Sequence, residues 1–237
     1  MSLTKIPIAL LADGTDGNII SFDASGDPVA IATGSSGQVL TSGGAGAAPA
    51  FAAAAAAGLN FVGSTTADDD ASITVSGLNT TYDMYLIGIN DLKIATDAQD
   101  VHMRFGDSGG IDSGGADYAW FNTAFTSDAD NTGSSSDPKG SEDSSDAFIC
   151  VSGQNNAIGN ATTEGFSGLW TLSNTGAGTN LPSIIGNYNN TNQNAGATIG
   201  MSGGHRRAKI SVTSINIFAE SGNLTSGTLV VWGLSKS

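Results

Sequence analysis

Beyond Leu59 the chain is a series of short apolar runs, each closed by a cluster of Gly, Asp, Asn or Ser. Few of these runs reach the about 10–14 residues of an average helix. Several alternate apolar with polar at the period of a half-buried strand. Candidate strands are 72–76, 82–89, 101–105, 118–125, 147–152, 165–172, 183–187, 197–201, 209–219 and 228–234. In the ninth, Ile210, Val212, Ile215 and Ile217 carry the apolar side, and a slip of phase at Ser214 predicts a bulge. Strands in such number, with turn signals between them, predict an all-β chain. Its head, residues 61–237, is expected to be an antiparallel β-sandwich of jelly-roll-like type. Composition agrees, because the strong helix formers Glu, Lys, Arg and Gln are scarce and only 13% of residues are charged. The long acidic stretch 127–146 reads as a mobile surface excursion between strands.

Residues 1–60 differ from the rest. Two strand-like runs, 18–22 and 29–33, flank a turn-rich stretch holding Asp23, Gly26, Asp27 and Pro28, which predicts a short hairpin. The segments 34–40 and 41–49 are rich in Gly, Ser and Ala, with too few large apolar residues to bury a core alone. They fit either a flexible linker or a slender stem whose small residues let identical chains pack around an axis; the hairpin favours the stem. The alanine run 52–57 fits a turn and a half of helix or a connection between stem and head. It is far short of the about 20 residues that cross a bilayer. The apolar stretch 6–12 holds a proline and runs into Asp13, so it does not read as a secretory signal, and no membrane insertion is expected.

Charge and side-chain inventory narrow the function. With 22 acidic against 8 basic residues and a net charge of −14, the chain lacks the basic face that nucleic acid requires. One cysteine, Cys150, leaves no disulfide framework and no Cys-based zinc site, so neither a metal nor a cofactor is expected. Cys150 reads as a small buried hydrophobe and His102 as a strand residue. His205, Arg206 and Arg207 form a basic cluster that fits a contact with a neighbouring chain or a solvated loop. No Gly-x-Ser-x-Gly elbow stands between a strand and a helix, so no catalytic residue is expected. Asp68, Asp69, Asp70, Asp107 and Asp112 lie in turn-like stretches, where local backbone bonding is a stronger reading than a Ca²⁺ site. Trp170 and Trp232 sit in strong strand patterns and are expected in the core. Tyr118, Trp120 and Tyr188, with Asn187 beside the last, are the candidate ligand-binding residues. Exposed rings next to amides suit a sugar, with its apolar face and rim of hydroxyls.

The run GTDGNIISFDASGDPVAIATGSSGQVL at 14–40 resembles stem segments in tail fibres and other fibrous proteins of tailed bacteriophages. The opening MSLTKIP is similar to the start of many marine-phage structural proteins. YDMYLI at 82–87, VHMRF at 101–105 and GTLVVWGL at 227–234 resemble the β-rich head domains of phage fibres. The resemblance implies a virion structural protein, usually a homotrimer, assembled in the bacterial host cytoplasm. Its N-terminal segment would join other virion proteins and its head would meet a host-surface glycan without covalent chemistry. A short tail fibre is the leading expectation, with a capsid fibre or decoration protein, or a glycan depolymerase, as the alternatives.

Overall fold

The structure, a computed structural model, describes residues 15–54, 58–127, 135–152, 157–176 and 180–235. Every regular element among them is a strand, and every strand pairing is antiparallel. The chain divides into two compact units, Met1–Ala56 and Ala57–Ser237.

The first unit holds two hairpins. In one, β1 (Ile19–Phe22) pairs with β2 (Pro28–Ile31). Its turn is built as the sequence predicts: Asp23 Oδ1 accepts the Ser25 and Asp27 N–H groups at 2.9 Å each, and Gly26 takes φ +86°. The other, β3 (Gln38–Thr41) with β4 (Ala50–Ala53), lies where no strand is expected. Ala52 and Ala53 therefore belong to a strand and not to a helix; residues 55–57 of the alanine run lie outside the described residues, as do residues 1–14. No residue between 15 and 54 is fully buried.

The second unit contains two sheets. The larger runs in the order β11 (Ser135–Asp146), β10 (Tyr118–Thr126), β15 (Ala197–Arg206), β14 (Ser183–Thr191), β13 (Phe166–Ser173), β7 (Tyr82–Ile94), β17 (Leu224–Ser235) and β5 (Leu59–Thr66). The smaller runs β12 (Ile149–Cys150), β8 (Val101–Asp107), β16 (Ser214–Ala219) and β6 (Ile73–Ser76), with β9 (Gly110–Ile111) paired to β8. One buried cluster draws on both, including Ile87, Trp170 and Val231 from the larger sheet and Met103, Phe105 and Ile217 from the smaller.

Four sequence expectations change. The stretch 127–146 contains β11, which pairs along β10 and covers its outer edge; residues 128–134 lie outside the described residues. A polar, charged strand is what a sheet edge tolerates, and apolar patterning does not mark it. The run 209–219 is a strand only from Ser214, because the Val212 N–H bonds Thr175 C=O, outside either sheet. The ninth run therefore has no bulge at Ser214; the phase slip marks where the ladder begins. The expected stem–head break after residue 60 falls inside β5, whose Leu59 and Asn60 pair with Leu234 and Gly233.

Candidate functional site

The two faces of the eight-stranded sheet carry different chemistry. On the inner face, strand alternation places Tyr118, Trp120, Trp170 and Tyr188, none more than 4% exposed. Tyr118 spans the gap between the sheets. Its Oη accepts the Phe105 N–H at 2.9 Å, and its hydroxyl hydrogen is shared between the carbonyls of Phe105 and Asp112 at 3.2 and 3.1 Å. These bonds satisfy β8 beyond the two residues that β12 covers. Trp120 Nε1 donates to Asp146 Oδ2 at 3.1 Å, and Trp170 Nε1 donates to Ser202 Oγ at 2.9 Å. The Tyr188 ring lies against Gly200, where a Cβ would strike it. Burial pushes the Tyr118 and Tyr188 phenols well above their ordinary range.

The three aromatic candidates for sugar stacking are thus buried side chains, at most 4% exposed, and of them only Trp120 lines the groove described below. Of the four candidates, only Asn187 is exposed. Alternation explains the correction. Strand β10 is apolar at both parities, so the sequence did not say whether Trp120 or Phe121 faces out. The structure turns Phe121 outward at 43% exposure. Trp170 is in the core as expected, whereas Trp232 is half-buried on the outer side, its ring against Gly88.

The outer face gathers Leu59, Phe61, Met84, Phe121, Phe125, Leu169, Ile185, Ile199, Met201 and Leu234, each between 37% and 66% exposed. Register makes them neighbours: Phe121 aligns through Gly203, Ile185, Thr171 and Leu86 to Trp232, and Met201 through Asn187 to Leu169. Large apolar side chains gathered on one exposed face in this number are the kind of surface that marks an interaction site. The face is also nearly free of acid. Of eight strands in a chain with 22 acidic residues, β5, β10, β13, β14, β15 and β17 contain no Asp or Glu.

Toward the β11 edge this face deepens into a groove of about 730 Å³, with Phe121 and Ile185 as its apolar part and Glu142, Asp143, Ser183 and His205 as its polar part. Sequence patterning missed the groove because Glu142 and Asp143 of its polar part lie in the stretch read as a loop.

A second locality is buried. Asp100, His102 and Cys150 bring one carboxylate oxygen, one ring nitrogen and one thiol sulfur within 4.8 Å of one another. His102 and Cys150 face each other across the β8–β12 pairing. The His102 ring stacks on Phe148, with centroids 3.7 Å apart. Burial pushes the Asp100 carboxyl up to about 7, aided by the Glu220 charge and opposed by the Ser152 hydroxyl. Burial, with Arg104 adding, pushes the His102 imidazole down to about 4.

The other polar candidates are used locally. Arg206 pairs with Asp112 at 2.8 Å and Asp117 at 3.0 Å, and Arg207 donates to the Ala116 carbonyl and Ser145 Oγ. These two arginines therefore brace their own chain. Asp70 accepts the Asp68 N–H and Asp107 the Gly109 N–H in turns, and Asp69 accepts from the distant Asn223 side chain.

No family model matches the chain, no curated protein resembles it, and no solved structure is similar to it.

Proposed function

We propose that the protein is a fibre-type virion structural protein that works as a homotrimer, its two-sheet head being a β-sandwich of jelly-roll-like type. The observation that carries this reading is the apolar, acid-poor outer face of the eight-stranded sheet. A chain of charge −14 repels its copies wherever acids face acids. On the half of that face from β13 to β5, the strands β13, β17 and β5 contain no Asp or Glu and supply a surface on which copies can meet. The copies meet on the half from β13 to β5, through Leu169, Met84, Leu234 and Phe61. The N-terminal unit supports the same reading, since hairpins with no buried residue have little to hold them without neighbours.

The groove at the β11 edge supports the receptor-binding half of the proposal. Phe121 offers an apolar face, and Glu142, Asp143, Ser183 and His205 offer hydrogen-bonding groups for the hydroxyl rim of a host-surface glycan. Binding at each copy is weak and non-covalent, and three copies together supply avidity. This favours a short tail fibre over a capsid fibre or decoration protein, which would use the same stem without needing the groove. The test is an antibody to the full chain applied to intact phage particles whose genome encodes it. Decoration at the tail tip is expected. Decoration over the capsid would select the capsid fibre, and unlabelled particles would overturn the virion assignment.

A further inference from the structure

Between the two sheets, part of the interior is polar. Asn122, Thr198 and Ser202 on the larger sheet and Asp100, His102 and Ser152 by the smaller are all at most 4% exposed. Their bonds link them. Ser202 Oγ donates to the Val151 carbonyl at 3.0 Å, next to Cys150, and Ser152 Oγ donates to Asp100 Oδ1 at 3.3 Å. Three buried atoms, His102 Nδ1, Asn122 Nδ2 and Tyr188 Oη, have no hydrogen-bond partner among the described residues. Such atoms are costly to bury, at about 1–3 kcal/mol each. Tyr188 also lies close enough to feel the charges of Cys150 and Asp100.

We infer that Asp100, His102 and Cys150 form a buried site for one divalent cation of the zinc type. The donor set selects the ion class. A thiolate and an imidazole favour zinc and its borderline neighbours over Ca²⁺ or Mg²⁺, which take oxygen. Ligand atoms within 4.8 Å of one another need only small movements to reach a tetrahedral ion with bonds of about 2.0–2.3 Å. One cysteine suffices because the set is mixed, so the argument against a Cys-only site does not apply. A bound ion would tie β8 to β12 at the point where their ladder is two residues long. Its role is structural, and it stands independently of how copies assemble.

Full-length protein is unfolded in urea with a chelator, refolded with Zn²⁺ so that burial does not bar entry, dialysed, and assayed for metal. About one zinc per chain is expected. Refolding with Co²⁺ should give a thiolate-to-cobalt absorption band in the near ultraviolet. Cys150→Ala, a substitution that a small buried site tolerates, should lose the band and at least tenfold of the metal while keeping the wild-type circular dichroism. Zinc should raise the melting temperature of the wild type but not of Cys150→Ala. Less than a tenth of a zinc per refolded chain, or undiminished zinc in Cys150→Ala, would overturn the site and leave a water-filled polar core.

Discussion

The inner and outer faces of the eight-stranded sheet are built from the same residue types and meet different fates. Inside, each large ring is fixed by something specific: Tyr118 by the β8 backbone, Trp170 by Ser202, Tyr188 by the glycine it lies on. Outside, Phe61, Phe125 and Ile199 stand at 55–66% exposure with nothing from the described residues over them. The comparison teaches that apolar content alone does not define the core of this fold. The core is the face that the smaller sheet covers, and the other face is apolar with no second sheet among the described residues over it.

Four substitutions or truncations test that contrast, and the largest effect is on the inside. Trp170→Ala should cost about 3–5 kcal/mol, since it empties a fully buried site and removes the bond that Ser202 Oγ accepts. Urea unfolding followed by circular dichroism measures it, and a loss below 1 kcal/mol would show that the inner face is not the core. Tyr118→Phe keeps the ring and removes the strut. It should cost about 1–3 kcal/mol by leaving the Phe105 N–H unsatisfied. On the outer face, Phe61→Glu with Leu169→Glu should change the stability of the isolated chain by less than about 0.5 kcal/mol per site. The same pair should abolish association, which sedimentation velocity reads directly. The smallest effect on folding is expected from removing residues 1–56. The remaining unit keeps its cooperative transition, because no described residue of that segment is fully buried.

The strands were largely legible in the sequence because alternation and turn residues are local signals. The hairpin at Asp23–Pro28 shows this: Asp and Gly at their positions force the turn that forms. What escaped is non-local. The strand β11 is polar because it lies at an edge, and only its partner β10 makes it a strand. The strand β5 is held by β17, more than 160 residues away in sequence, and carries no strong alternation of its own. Which parity of β10 faces inward depends on the sheet opposite, so Trp120 and Phe121 could not be told apart beforehand. The meeting of His102 with Cys150 is likewise a product of register, which no local pattern shows.

The central claim is that the outer face of the eight-stranded sheet is an interface between copies. Its most direct test is the molar mass of the purified full-length chain, measured by light scattering behind size exclusion at micromolar concentration. The account predicts three chains per particle, stable to dilution, falling to one in the Phe61→Glu, Leu169→Glu double variant. A wild-type protein that elutes as a single chain would contradict it, and so would a trimer that survives both charges.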